Sequence, residues 1–262
     1  MTKKLIHYLN ACRLTQSLNL KGLPLWPKKL FPFLPHDRTG YNGFLTWVAT
    51  LQLTDVSVVV DAGANHGDFS EAAATFFPHA RFLLVEPFPK LHPELEFRCH
   101  RHGPAWSLEK YALGDKESSE TLYISHSHDA IGSLKGFPDS YSKATSIHED
   151  LHSISCQVRC LDNVLAEKNI SSVSLLKIDV EGAEFELLSG AENTFNVTDS
   201  IIIEVSTIRD SELEANALLR VLALLDEKSF RPVAILPSLF DRNEPWMPVE
   251  FNVLARRSNA TR

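Results

Sequence analysis

Four short, almost uninterrupted runs of β-branched and leucine residues constrain this chain more than anything else in it: VSVVV at 56–60, RFLLV at 81–85, VSLLKI at 173–178 and SIIIEV at 200–205. A strand that is apolar at consecutive positions is buried on both faces, so these runs call for a parallel sheet with helices packed on either side. The intervening chain supplies the helices. Amphipathic stretches fall at 68–77, 91–101, 161–168, 183–189 and 212–228, several of them close to a turn residue such as Pro78 or Gly190. Late strands at 232–236 and 251–255 complete an α/β, Rossmann-like sheet.

The chain divides unevenly around that pattern. Residues 1–50 carry Lys3, Lys4, Arg13, Lys21, Lys28, Lys29 and Arg38 together with the stretch LPLWPKKLFPFLP, and read as a basic, proline- and aromatic-rich appendage, an arm packed on the domain or on a partner subunit, with a membrane-surface or partner contact as the alternative. Residues 51–258 form one domain. Within it, 119–160 changes character: TLYIS and SISCQVR alternate like exposed strands around a polar Ser/His stretch. This segment reads as an insertion above the sheet, where it can act as a substrate lid, because open α/β sheets bind ligands beyond the carboxyl ends of their strands.

Composition narrows the function. A net charge of -7 disfavours a nucleic-acid partner, which usually meets a basic face. The cysteines Cys12, Cys99, Cys156 and Cys160 have no paired metal-ligand spacing and are too few for a disulfide scaffold, which fits reduced thiols and a cytoplasmic location. No apolar run reaches the roughly 18 residues of a membrane span, and the first residues lack the pattern of a secretory signal. A small-molecule partner is the expectation, and the sequence leaves the oligomeric state open.

The sharpest motif is VVVDAGANHGDFS at 58–70, a buried strand with an acid at its tip, a glycine turn and a helix start. Gly63 and Gly67 allow a tight turn and close approach of backbone to a ligand. The GxGxxG spacing of dinucleotide sites is missing, which weakens a nicotinamide-dependent oxidoreductase reading. S-adenosylmethionine has no phosphate and carries cationic groups, so a carboxylate at Asp61 suits it. Glu86 ends the second strand 19 residues beyond Gly67, near the offset at which an acid reaches ribose hydroxyls.

The second motif is SLLKIDVEGAEFELLSG at 174–190. Lys177 and Asp179 are two apart on a strand and share a face, while Glu181 and Gly182 open the turn into a helix. Glu204 tips the neighbouring strand. Carboxylates gathered on one rim repel unless a cation or donor intervenes, so Asp179, Glu204 and Glu181 are candidates for general-base chemistry, and Asp179 and Glu204 for a divalent ion. Whether a metal takes part is left open. His126 and His128 reach the cleft only if the insertion folds over it.

VDAGANHGDFS, VEP, YALGD at 111–115, LKIDVEGAEFELLSG and IIIE, in that order over roughly 56–206, resemble the FkbM family of methyltransferases. The resemblance implies a class I, seven-stranded, mostly parallel sheet and transfer of a methyl group from S-adenosylmethionine to a hydroxyl of a sugar or secondary metabolite. It places Asp61, Gly63, Asn65, Gly67 and Glu86 at the methyl donor, Ala112 and Leu113 near its adenine, and Asp179, Glu181 and Glu204 on the acceptor side. A non-catalytic binding protein on the same fold is the remaining alternative, disfavoured because the acceptor-side acids are present.

Overall fold

The computed structural model describes residues 52–125, 131–137, 151–207, 217–241, 243–244 and 246–258. The arm at 1–50, His126 and His128, and the beginning of the helix expected at 212–228 lie outside the described residues.

Two sheets are present among them. The large one contains β1 (Val58–Ala62), β2 (Arg81–Val85), β3 (Trp106–Glu109), β8 (Leu175–Ile178), β9 (Ser200–Ser206), β10 (Phe230–Phe240) and β11 (Pro248–Arg257), in the order β10-β11-β9-β8-β1-β2-β3. From β9 to β3 every pairing is parallel, and β11 enters antiparallel between β9 and β10. The fold is thus the seven-stranded, mostly parallel α/β sheet expected. Strand β3 carried no continuous apolar run because it lies at the sheet edge, where only Trp106 is fully buried.

Side-chain alternation along the strands splits the interior in two. Val59, Phe82, Leu84, Leu175 and Ile202 face α1 (Asp68–Phe76) and α2 (His92–His102), meeting Phe69, Ala72, Ala73 and Leu95. Val60, Leu83, Val85, Leu176, Ile178 and Ile203 point the other way. There they meet α3 (Leu161–Glu167), α4 (Glu184–Ser189), α5 (Glu192–Val197) and α6 (Ala217–Glu227) through Val164, Leu187, Phe195 and Val221. Each fully buried aliphatic or aromatic side chain contributes about 1.5–3 kcal/mol of transfer free energy, which is why the consecutive apolar runs specify this arrangement.

The chain leaves the large sheet once between β3 and β8, and there it builds the second sheet from β4 (Ala112–Leu113), β5 (Ser118–Ser125), β6 (Ile131–Ser133) and β7 (Leu151–Arg159), in the order β4-β7-β5-β6. Alternation turns Leu122, Ile124, Cys156 and Val158 inward against the core, while Thr121, Tyr123, Ser155 and Gln157 stay in solvent. The sheet starts earlier in sequence than the alternating pattern marks, because the two-residue β4 pairs parallel to β7 at Ala112↔Val158 and Leu113↔Arg159.

β1 lies between β2, reached directly, and β8, reached after the excursion. Strand order reverses at this point, and the crevice outside the carboxyl ends of such strands is where open α/β sheets hold ligands.

Candidate active site

A cleft of about 610 Å³, counting its open mouth, occupies that crevice. One wall comes from the ends of β1 and β2 through Gly63, Asn65, Val85, Glu86 and Pro87, and the floor from Tyr111, Ala112 and Leu113. The facing wall is Asp179, Val180, Glu181 and Ala183 after β8, and the second sheet adds Leu122, Gly132 and Leu134. Of the residues singled out from sequence, Gly63, Asn65, Glu86, Ala112, Leu113, Asp179 and Glu181 meet here. Asp61, Gly67 and Glu204 stand behind the walls.

Glu86 is buried, yet both its oxygens are held: the Asn65 N–H donates to Oε2 at 2.8 Å and the Phe88 N–H to Oε1 at 2.8 Å. His92 Nε2 donates to the Glu86 carbonyl at 2.8 Å, fixing the strand end. Burial raises the Glu86 carboxyl to about 7, against the pull of the two backbone donors. Each oxygen has accepted one hydrogen bond from the protein and has a lone pair left.

Gly63 has φ +78°, and a Cβ there would lie 1.8 Å from the Asp179 carbonyl oxygen, so no other residue fits between the ends of β1 and β8. The cleft also holds two non-glycine residues in the left-handed region, Asn65 at φ 50° and Glu181 at φ 54°. Asparagine tolerates this; glutamate stores strain, offset in part by a 2.6 Å hydrogen bond from Ser133 Oγ to the Glu181 carbonyl. Gly67, at φ +80°, serves a different contact. A Cβ on it would lie 2.9 Å from Leu95 Cδ2, so its smallness lets the start of α1 pack on α2.

Asp61 is wholly buried. It accepts the Ser70 hydroxyl on Oδ2 at 2.7 Å, and Lys177 Nζ lies 3.3 Å from Oδ1, which has no well-formed hydrogen bond. The cation beside Asp61 is therefore a lysine of the protein. Burial raises the Asp61 carboxyl, with Lys177 and Ser70 opposing. Lys177 Nζ also lies 3.1 Å from Asp179 Oδ2 and donates to the Gly63 carbonyl at 2.6 Å. Burial alone would depress its ammonium, but the Asp179 and Asp61 carboxylates outweigh burial and raise it. Parallel register explains the meeting, since Asp61 is paired directly with Lys177 across β1 and β8.

Glu204, on β9 outside the cleft lining, is crowded by other acids. Burial, then the Asp179 and Glu250 carboxylates, push it well above the ordinary carboxylate range, and Ser238 opposes weakly. Asn252 Nδ2 reaches its Oε1 at 3.4 Å from the antiparallel neighbour β11. Sequence reasoning did not anticipate Glu250 or Asn252, because the pairing of β11 with β9 brings them in from a distant part of the chain. Tyr111 was visible only as the first letter of YALGD. It forms part of the floor with its hydroxyl buried, without a well-formed hydrogen bond, and Arg159 lies over its ring.

Among the described residues no group of three or more His, Cys, Asp or Glu side chains is arranged to hold a metal ion, and no helix is long and apolar enough to cross a membrane.

Comparison with known proteins accords with this geometry. The methyltransferase FkbM domain matches residues 61–232, from the acid of β1 into β10. The 2-O-methyltransferase NoeI of Sinorhizobium fredii is 27% identical over 191 residues, 69% of this chain and 74% of that one. The 31-O-demethyl-FK506 methyltransferase FkbM of Streptomyces tacrolimicus is 28% identical over 217 residues, 74% and 80% of the two chains. The AMB antimetabolite synthetase AmbE of Pseudomonas aeruginosa is 26% identical over 188 residues, where 62% of this chain spans only 9% of the synthetase. The matched stretch contains every residue of the cleft walls, and the chain belongs to the FkbM methyltransferase family.

Proposed function

We propose that the cleft binds S-adenosylmethionine and that the enzyme passes its methyl group to a hydroxyl oxygen of a small acceptor, of the sugar or secondary-metabolite type. The observation that carries this reading is Glu86: a buried carboxylate, fixed by two backbone N–H groups, with a lone pair on each oxygen left for a vicinal diol. Gly63 and Asn65 beside it and the apolar Ala112 and Leu113 below it fit a nucleoside with its ribose against Glu86. Asp61, behind Gly63, braces the loop.

The donor supplies an activated methyl group on a sulfonium, so the protein's own work is alignment and proton removal. Asp179 and Glu181 stand on the opposite wall. Asp179 is the first candidate to accept the proton of the attacking hydroxyl, with Glu204 behind it as the group that shares the charge. The names of NoeI and of the Streptomyces enzyme describe oxygen methylation, which favours a hydroxyl acceptor here too. Calorimetric titration with S-adenosylhomocysteine and, separately, NAD tests the donor half. Micromolar binding of the first is expected, and binding of NAD in its place would refute the reading.

A further inference from the structure

Lys177 does more than neutralise Asp61. An ammonium has three N–H groups, and three acceptors surround this one: the Gly63 carbonyl at 2.6 Å, Asp179 Oδ2 at 3.1 Å and Asp61 Oδ1 at 3.3 Å. The shortest contact is to the neutral group. A lysine needed only as a countercharge would be expected closest to its carboxylate, to which the coulombic attraction is strongest. This one is buried at 7% exposure and donates first to a backbone carbonyl of the loop that forms the Glu86 side of the cleft.

That loop is held from two directions. The Gly63 and Ala64 N–H groups both donate to the Val85 carbonyl at 3.0 Å, tying it to β2, while the Gly63 carbonyl is tied to β8 through Lys177. Asp179 is the residue whose carbonyl excludes any side chain at Gly63, and its carboxylate is the second partner of the same ammonium. The two walls of the cleft therefore share one side chain, whose other end is rooted in the sheet between them.

We propose that Lys177 is a positioning residue that sets the donor loop and the acceptor-side aspartate in register with each other, so that loosening it loosens both walls. This rests on the reading that the Glu86 side holds S-adenosylmethionine and that Asp179 faces the acceptor.

The test must separate this role from charge balance, because Lys177→Met alone leaves Asp61 buried without its cation and can fail to fold. Asp61→Asn and Asp61→Asn/Lys177→Met form a pair in which neither protein strands an aspartate beneath the sheet. Thermal denaturation shows that both are folded. S-adenosylhomocysteine affinity is then measured by calorimetry, and amide hydrogen exchange is followed at residues 62–66 and, as a control, in β9. Relative to Asp61→Asn, the double variant is expected to bind at least about tenfold more weakly, the scale for losing a hydrogen bond from a charged group. Exchange should quicken at 62–66 and stay unchanged in β9. Equal affinity and equal exchange in two folded proteins would overturn the proposal and leave Lys177 a countercharge. Absence of binding to the wild-type protein would instead overturn the donor reading, and this inference with it.

Discussion

The two sides of the cleft both bury carboxylates, and they treat them in opposite ways. On the β1–β2 side, Glu86 has two backbone donors and Asp61 has a hydroxyl and an ammonium, so each acid is supported by the protein itself. Behind the β8 side, Glu204 is set among Asp179, Glu250 and Glu181, which disfavour its charge, against only the Ser238 hydroxyl and a weak amide contact from Asn252. The first arrangement fixes its acids in place. In the second, mutual repulsion disfavours the charged form, so Glu204 holds a proton more readily than an ordinary glutamate. On the proposed reading, this contrast divides binding from chemistry by electrostatics.

The largest effect should follow from breaking the contact that joins the two sides. Gly63→Ala forces a Cβ into the Asp179 carbonyl and a left-handed backbone on alanine, and should cost about 3 kcal/mol or more, seen as a collapse of the denaturation midpoint. Gly67→Ala also puts alanine in a left-handed backbone but meets only the movable end of Leu95, and should cost less, about 1–2 kcal/mol. Equal losses would mean that Gly63 has no special place in the cleft.

Next comes the division of labour. Asp179→Asn should lower turnover by about two orders of magnitude, the scale of a general-base contribution, and leave S-adenosylhomocysteine affinity within a few-fold. A variant that loses donor affinity and keeps its turnover number would reverse the assignment of the two walls.

Glu86→Ala should weaken donor binding by about 1–3 kcal/mol without preventing folding. Its pH dependence sharpens the point. With the carboxyl near 7 in the free protein, a ligand whose hydroxyls donate to the carboxylate binds best above that value, and affinity should fall toward tenfold per unit as pH drops below it. Calorimetry between pH 5.5 and 8.5 reads the slope, and a flat profile would remove the Glu86 carboxylate from the ligand contact.

The smallest effect concerns stability. Glu204 is raised in the folded protein, so the folded state binds more protons than the unfolded chain, and its contribution to stability falls as pH rises above the ordinary glutamate range. Glu204→Gln should thus raise the melting temperature at pH 8 and have little effect near pH 4. A variant equally shifted at both values would show that repulsion plays no part there.

The large sheet was legible because burying a strand on both faces demands consecutive apolar residues, as in VVV and III, and that demand leaves a mark in the sequence. The edge strand β3 and the short α5 leave none: SLE of β3 is half-exposed, and six residues of helix carry little periodicity. In the site, Gly63, Glu86 and Asp179 were legible because turn geometry and strand-end position restrict them to few residue types. The place of Asp61 beneath the loop, the service of Gly67 to helix packing, and the company Glu204 keeps with Glu250 were not. Each depends on which strand lies alongside, and register across distant segments is written in no local pattern.

That distance also sets an order of events in the making of the protein. The Lys177–Gly63 bond closes residues 114 positions apart, and β1 has one of its two neighbours only after the whole excursion through the second sheet is complete. On a ribosome adding 5–20 residues each second, β1 and the glycine turn after it wait on the order of 10 s before β8 exists to fix them. Until then the strand VVVDA has one flank unpaired and its aspartate without a cation. The time taken to translate residues 63–177 thus sets how long this strand edge waits for its second neighbour.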